Sequence, residues 1–366
     1  MSLKAGIVGL PNVGKSTLFN AITKKHILAA NYPFATIEPN VGVVTVPDER
    51  LEHLNELYKP QSLVATSFEF TDIAGLVKGA SHGEGLGNKF LSHIREVDAI
   101  VNVVRCFENG DITHVEGKID PIRDIEIINT ELILADLESI ENRIAKLGKK
   151  MTMAKEKSEL LEVNTLLHTK ETLENGIPLR LGTFSKEELA FLKSFNLITL
   201  KPVIYVANVN EDDAVVGDND HTLKVKEYAA RENSGVIVMS CQIESELSDL
   251  DATEKRQFLE DLGITNSGLD KLIYQTYSLL GLRTFFTAGE KEVKAWTFVK
   301  GMKAPGCAGI IHSDFERGFI RAEVMSYEDL LKYGTELKVK EAGRMRLEGK
   351  EYEMQDGDIC YFRFNV

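Results

Sequence analysis

The chain has 366 residues, 43% of them hydrophobic and 27% charged, and its formal net charge at pH 7 is −13. A chain of this length is expected to form two or three domains. No apolar run reaches the ~18 residues of a membrane span, and a strand pattern begins at once, so we expect neither a membrane anchor nor a signal peptide. The negative charge argues against nucleic-acid binding over a broad surface. These properties predict a cytoplasmic protein of several domains.

The first pattern in the chain predicts a phosphate-binding loop. An apolar run at residues 5–10, typical of a buried strand, leads into GLPNVGKS at residues 9–16 and then into a helical pattern. This matches G-x-x-x-x-G-K-[ST], whose glycines let backbone N–H groups surround a phosphate chain. Lys15 brings positive charge to the phosphates during catalysis, and the Ser16 hydroxyl is suited to bind Mg²⁺. The predicted nucleotide-binding residues here are Asn12, Val13, Gly14, Lys15, Ser16 and Thr17.

Strand and helix patterns alternate along much of the chain. The predicted strands cover residues 41–46, 66–70, 99–105, 202–207 and 236–239, and the predicted helices cover residues 51–58, 88–96, 252–261 and 268–279. Such alternation is typical of a doubly wound α/β domain with a parallel sheet. We assign residues 1–122 and 198–280 to this nucleotide-binding domain.

A helical segment interrupts that domain. Residues 123–175 contain almost no Gly or Pro. Apolar residues spaced by four and three predict a coiled-coil seam formed by Ile133, Leu137, Ile140, Ile144, Leu147 and Met151. A matching seam on a returning helix is predicted at Leu160, Val163 and Leu167. Residues 123–197 are therefore predicted to form an inserted antiparallel hairpin, with its apolar stripes used for packing.

The last part of the chain changes character. Residues 281–366 show short alternating patterns, with strands predicted at 285–288, 294–298, 336–341 and 360–364 and a helix at 327–332. This order suits a small mixed sheet packed on a helix.

Three residues beyond the phosphate loop occupy the positions of nucleotide-sensing residues in P-loop GTPases. Thr36 lies in a proline-containing loop after the first helix, and Asp72 and Gly75 form Asp-x-x-Gly after a strand. In that class the threonine and aspartate hold the metal, and the glycine N–H contacts the γ-phosphate. We predict Ser16, Thr36 and Asp72 as Mg²⁺ ligands and Gly75 as a nucleotide contact.

The chain resembles one known family over essentially its whole length, and four segments carry the resemblance most specifically. They are residues 31–36 (NYPFAT), 72–80 (DIAGLVKGA), 104–108 (VRCFE) and 312–321 (HSDFERGFIR). The chain resembles the Obg-related YchF proteins, the Obg-like ATPases. The resemblance implies a P-loop domain of the GTPase type, a C-terminal ubiquitin-like β-grasp module called a TGS domain, ATP hydrolysis and association with ribosomes.

The residues that read the base differ from those of a GTPase. GTPases read guanine with Asn-Lys-x-Asp, whereas residues 208–211 are NVNE. Val209 lacks the lysine stem and charge, and the Glu211 carboxylate extends one methylene further than aspartate. The Asn208 amide matches the adenine N7 and N6 pattern. Taken alone, these residues predict only that guanine specificity is impaired. The family resemblance also implies contacts between the Val209 backbone and adenine, so with it we expect ATP to be preferred over GTP. Ser240, at the end of a strand, completes the predicted set.

The residue that drives hydrolysis is less apparent. Ras-like GTPases place a glutamine after Asp-x-x-Gly, whereas this chain has Leu76, which cannot orient water. Another group, a partner or a monovalent cation such as K⁺ is needed. The resemblance implies His114, which suits the handling of a proton near neutral pH. A structural loop histidine is the alternative, and His82 is a second candidate.

Basic residues in the C-terminal segment raise the question of RNA binding. They are Lys291, Lys294, Lys300, Lys303, Arg317 and Arg321. Acidic residues alternate with them, which is typical of a solvated surface, but the resemblance favours RNA contact through the TGS domain and an adjoining cleft.

We predict a Mg²⁺-dependent ATPase switch that binds the ribosome as a monomer or weak dimer. A conventional GTPase and a nucleotide-stabilised RNA- or protein-binding module with negligible turnover are the alternatives.

Overall fold

The protein forms two compact units. The computed structural model describes residues 3–28, 40–73, 86–108, 118–148, 156–264 and 266–365. The first unit contains residues 1–44 and 69–272, and the second contains residues 45–68 and 273–366. Within the described ranges, no helix combines the length and apolar character needed to cross a bilayer.

The first unit is built on a six-stranded sheet in the order β2-β4-β1-β5-β6-β7. Its strands are β1 (Lys4–Val8), β2 (Val41–Thr45), β4 (Ser67–Asp72), β5 (Ala99–Arg105), β6 (Val203–Asn208) and β7 (Gly235–Met239). β1 pairs in parallel with β4 and β5, β5 with β6, and β6 with β7. Every residue of β5 and β6 is buried, as expected for the centre of a parallel sheet. The prediction of a parallel α/β sheet is confirmed.

Nine helices of the described chain accompany this sheet or its insertion. They are α1 (Lys15–Leu28), α3 (Leu86–Glu96), α4 (Pro121–Leu147), α5 (Lys157–Glu174), α6 (Lys186–Leu192), α7 (Glu211–Val216), α8 (Asp220–Arg231), α9 (Cys241–Leu247) and α10 (Ala252–Asp261). Helix α11 (Gly268–Leu279) begins in the first unit and ends in the second. The bounds of α10 and α11 agree with the predicted helices, and those of β5 agree with the predicted strand. Short 3₁₀ turns lie at Leu179–Leu181, Lys193–Phe195 and Ile198–Leu200.

The inserted helices α4 and α5 pack through an apolar core. Ile133 and Ile140 of α4 are buried with Leu166 and Leu173 of α5, which confirms the predicted stripe on the first helix. The stripe predicted on the second helix is wrong at two positions, because Leu160 and Leu167 are 42% and 46% exposed. Leucine pairs at 160–161 and 166–167 let the sequence fit two helical faces, and packing selects the face of Leu166. Met151 lies outside the described residues.

A buried carboxylate fixes the insertion to the 3₁₀ turn that precedes β6. Asp136 of α4 is fully buried and accepts hydrogen bonds from Ile198 N (3.0 Å), Thr199 N (2.7 Å) and Thr199 Oγ1 (2.8 Å). Arg95, near the end of α3, adds a contact from Nη1 at 3.3 Å. Burial raises the pKa of Asp136, while these donors and the Arg95 charge oppose the rise.

The end of α3 is anchored at the same place. Arg95 also donates to the Ala135 carbonyl (3.2 Å), Ser139 Oγ (2.9 Å) and the Asn196 carbonyl (3.3 Å). Lys201 Nζ donates to the Arg95 carbonyl at 2.7 Å, and burial lowers the pKa of Lys201 to about 8. The helix that follows the Asp72 segment is thus tied directly to the inserted hairpin.

The second unit is a six-stranded mixed sheet in the order β11-β10-β12-β8-β9-β3. Its strands are β3 (Ser62–Val64), β8 (Leu282–Ala288), β9 (Glu292–Val299), β10 (Phe319–Ser326), β11 (Arg346–Glu348) and β12 (Asp358–Phe364), and its helices are α2 (Glu49–Tyr58), α12 (Ala304–Ile311), α13 (Ser313–Arg317), α14 (Tyr327–Tyr333) and α15 (Glu336–Glu341). Apolar clusters cover both faces of this sheet. Successive side chains of a strand point to opposite faces, so Phe285 and Phe286 belong to different clusters.

Two expectations about this unit differ from the structure. Residues 336–341, predicted as a strand, form helix α15, because Thr335 accepts a hydrogen bond from Lys338 N and caps a helical turn. The sequence pattern assigns residues 45–68 to the first domain. They belong to the second unit, because β3 pairs in parallel with β9 and α2 contributes Leu51 and Leu54 to its core.

Candidate nucleotide-binding site

The loop between β1 and α1 has the backbone of a phosphate cradle. Asn12 and Gly14 adopt positive φ angles of 64° and 97°, a region that L side chains rarely occupy. A Cβ atom on Gly14 would lie 2.2 Å from Asn208 Nδ2, so the loop has no space for a side chain here. The Gly14 carbonyl then accepts from Leu18 N at 3.0 Å in the first turn of α1. The helix N-terminus is therefore available to an anion.

Lys15 and Asp72 meet at the end of this loop. β4 lies beside β1, with Asp72 in register with Ile7, so the last residue of β4 reaches the first residue of α1. Lys15 Nζ donates to Asp72 Oδ1 and forms an ion pair with it. The two side chains are only 11% and 21% exposed. The predicted phosphate ligand and the predicted metal ligand are therefore neighbours.

The residues at this point fit a magnesium ion. Ser16 is exposed at the start of α1, next to the lysine that contacts the Asp72 carboxylate. Mg²⁺ usually takes one or two protein oxygens together with phosphate oxygens and water. A site with so few protein ligands does not require a cluster of carboxylates, thiolates and imidazoles. The described residues contain no group of three or more His, Cys, Asp and Glu side chains able to hold a metal. Thr36, the third predicted ligand, lies outside the described residues.

Asn208 connects the phosphate loop to the opposite wall of the site. This last residue of β6 is 4% exposed, and its Nδ2 donates to the Val13 carbonyl at 2.8 Å. Its Oδ1 accepts from Cys241 N at 2.9 Å. The side chain predicted to read adenine thus bridges two loops, which gives it a positioning function.

A cavity of about 820 Å³ opens beside the phosphate loop. It is lined by Asn12, Gly14, Thr17, Phe107, Glu108, Asn208, Val209, Asn210, Glu211, Asp212, Ser240, Cys241 and Gln242. Most of the residues predicted to bind nucleotide are therefore brought together in one place. Ser240 is buried and caps α9, where its Oγ accepts from Ile243 N at 3.4 Å.

Two N–H groups beside this cavity are already bonded within the protein. The N–H of Val209 already donates to the Met239 carbonyl at 3.0 Å, and that of Cys241 donates to Asn208. Three carboxylates, those of Glu108, Glu211 and Asp212, line the wall. A ligand that presents hydrogen-bond donors suits this lining.

Phe107 is a lining residue to which the sequence interpretation gave no chemical role. Arg105 lies over its ring, with Cζ 4.7 Å from the ring centroid, and Arg105 Nε donates to the Phe107 carbonyl at 3.2 Å. Burial lowers the pKa of Arg105, and nearby Asp124 opposes the change. The held ring offers a planar base an apolar face. Phe107 falls in the VRCFE segment, one of the four segments that carry the family resemblance.

Several predicted residues lie outside the described part of the chain. They are Thr36, Gly75, His82 and His114. Of the predicted basic residues in the second unit, Lys303 pairs with Glu351 and Arg317 with Asp314, so part of that charge is neutralised locally.

Comparisons with known proteins agree with this architecture. Residues 4–135 match a family model described as a 50S ribosome-binding GTPase. Residues 282–365 match a model described as a protein of unknown function (DUF933), the YchF GTPase C-terminal family. The phosphate loop on a parallel sheet and the first match define a P-loop nucleotide-binding protein of the GTPase type.

The relatives are similar over their full length. The chain is 61% identical to the ribosome-binding ATPase YchF of Bacillus subtilis and 56% identical to that of Haemophilus influenzae, with 100% of each chain covered. The solved structure of the Schizosaccharomyces pombe YchF GTPase superposes with a TM-score of 0.89 at 43% identity, covering 99% of this chain and 98% of that one. The chain belongs to the YchF family. The names of these relatives disagree on the nucleotide, since two specify an ATPase and one a GTPase.

Proposed function

We propose that the protein is a Mg²⁺-dependent triphosphatase that prefers ATP to GTP and acts as a switch on the ribosome in the cytoplasm. The observation that carries the base preference is that the N–H groups of Val209 and Cys241, beside the cavity, are already bonded within the protein and leave neither for guanine O6. The printed names of the bacterial relatives support ATP hydrolysis and ribosome binding.

Discrimination between adenine and guanine follows from N–H groups beside the cavity that are already bonded within the protein. Adenine presents its N6 amino group as a donor, whereas guanine presents an acceptor at O6. The N–H groups of Val209 and Cys241 are bonded within the protein, and the Glu211 side chain offers only acceptor oxygens. A guanine O6 left without a donor costs about 1–3 kcal/mol, or roughly 5- to 150-fold in affinity. Contacts of the base with the Val209 backbone and the Phe107 ring would complete the site.

The phosphate end supplies the charge for hydrolysis. Lys15 would neutralise phosphate oxygens, and Ser16, Asp72 and Thr36 would hold Mg²⁺, which draws electron density from the β- and γ-phosphates. Gly75 would contact the γ-phosphate. His114, or alternatively His82, would orient water, and K⁺ would be an additional cofactor.

The switch would be transmitted through helix α3. Its N-terminal side follows the Asp72 segment, and its C-terminal side is held by Arg95 to Asp136 of α4. A nucleotide-dependent shift of α3 would therefore move the inserted hairpin. Contact with the ribosome would use this hairpin and the second unit, for which we propose a TGS-like RNA-binding role.

Phosphate release with ATP and with GTP, in the presence and absence of ribosomes, tests the proposal. We expect faster release from ATP and its loss in Lys15→Ala. Lys24→Ala is the matched control, because Lys24 lies on the same helix in an exposed pair with Asp249. Turnover that is equal in Lys15→Ala and the unaltered protein would overturn the enzymatic part of the proposal and favour a nucleotide-stabilised binding module.

A further inference from the structure

The ion pair at the phosphate end consists of two groups that the proposed function assigns to different ligands. Lys15 is the phosphate ligand and Asp72 a metal ligand, yet the two side chains bind each other. Both are held in place by backbone contacts. Lys15 begins α1, and Asp72 N donates to the Asn40 carbonyl at 2.8 Å. The pair therefore lies at the C-terminal ends of the adjacent strands β1 and β4.

This contact makes the two ligands interdependent. A phosphate chain that takes Lys15 without a metal leaves the Asp72 carboxylate without its cation. The pair is mostly shielded from water, so this loss of a charged partner is poorly compensated by solvent. A Mg²⁺ ion that arrives with the phosphates gives Asp72 a new cation as Lys15 leaves.

We propose that Asp72 is an internal competitor for the phosphate-binding lysine, which prevents tight binding of metal-free nucleotide. This inference rests on the proposed function and extends it. The site rejects free nucleotide and other metal-free polyphosphates because Lys15 is already neutralised. It accepts the Mg²⁺ complex because the metal displaces the lysine from Asp72.

Calorimetric titration with ATP, once with Mg²⁺ and once with EDTA, tests the competition in the full-length chain. Asp72→Asn keeps the shape of the side chain and removes its charge. We expect this variant to bind metal-free ATP about tenfold more tightly than the unaltered protein. Glu69→Gln is the matched control, because it removes a charge from the same strand three residues away, in register with Lys4. It should leave the affinity unchanged.

A double-mutant cycle separates competition from simple repulsion. In a Lys15→Ala background, Asp72→Asn should no longer improve metal-free binding, because there is no lysine to release. A gain that persists in this background, or no gain with Lys15 present, would overturn the inference. Circular dichroism confirms that each variant is folded. Failure of the unaltered protein to bind ATP even with Mg²⁺ would instead refute the proposed function, so the two failures are distinguishable.

Discussion

Gly14 combines two requirements that a side chain cannot meet together. Its φ angle is 97°, and the space where a Cβ would lie is taken by Asn208 Nδ2. The amide of Asn208 in turn holds the Val13 carbonyl and Cys241 N. The shape of the phosphate loop and the position of the base wall therefore depend on one contact.

A pair of glycine substitutions tests this dependence. Gly14→Ala should weaken ATP binding by at least about 100-fold, because the methyl group displaces Asn208 in addition to straining the backbone. Gly217→Ala is the control, since Gly217 has a φ of 98° but no atom within 4 Å of the place that a methyl group would take. It should bind ATP normally and lose only about 1 kcal/mol of stability. Equal losses of affinity in both variants would contradict the role of the Asn208 contact.

The sequence predicted residue types better than residue roles. The phosphate-loop motif identified Lys15 and Ser16 correctly as neighbours at the start of a helix, because that motif is local. The hydrogen bonds of Asn208 with Val13 and Cys241 join residues 195 and 33 positions apart, so no local sequence pattern indicates them. Phe107 was missed because a single aromatic residue after a strand has no distinctive spacing.

Two adjacent leucines test the packing of the inserted hairpin. Leu166 of α5 is fully buried, whereas Leu167 is 46% exposed. Leu166→Ala should lower the free energy of unfolding by about 2–4 kcal/mol, and Leu167→Ala by less than about 0.5 kcal/mol. Denaturant unfolding followed by circular dichroism measures both. A larger loss of stability for Leu167→Ala than for Leu166→Ala would show that Leu167 lies on the packed face, as the sequence pattern predicted.

The connection between α3 and the hairpin gives an element-scale prediction. Arg95→Ala removes a charged donor from buried Asp136 and should cost about 1–3 kcal/mol. It should also abolish any ATP-dependent change in hydrogen exchange of α4. Arg143→Ala, which breaks an exposed pair with Glu162, should cost less than about 1 kcal/mol and preserve that change. An ATP response of α4 that survives in Arg95→Ala would exclude this route.

Element boundaries were predictable where the pattern was long or strongly apolar. Strand β5 and helices α10 and α11 have the bounds that the sequence predicted. The segment Glu336–Glu341 alternates apolar and charged residues over only six positions, which fits a strand and a short helix equally. Its Val339 is buried and its Leu337 is 65% exposed, so the helix buries one apolar residue where a strand face would bury both.

At the scale of the whole molecule, the two units are interleaved along the chain. Residues 45–68 leave the first unit to add helix α2 and strand β3 to the second. The parallel pairing of β3 with β9 joins residues more than 200 positions apart, which local sequence patterns cannot specify. Full-length similarity to the YchF relatives is consistent with a chain whose units are not separable at one boundary.

The proposed function requires an ATP site within a GTPase-type fold. Calorimetric titration of the purified chain with Mg²⁺-ATP and with Mg²⁺-GTP is the decisive test. We expect ATP to bind at least about fivefold more tightly, because the adenine amino group can donate to acceptors of the cavity, whereas the N–H groups of Val209 and Cys241 are already bonded and cannot donate to guanine O6. Equal or tighter binding of GTP would contradict it, and would mean that Glu211 performs the function of the missing aspartate.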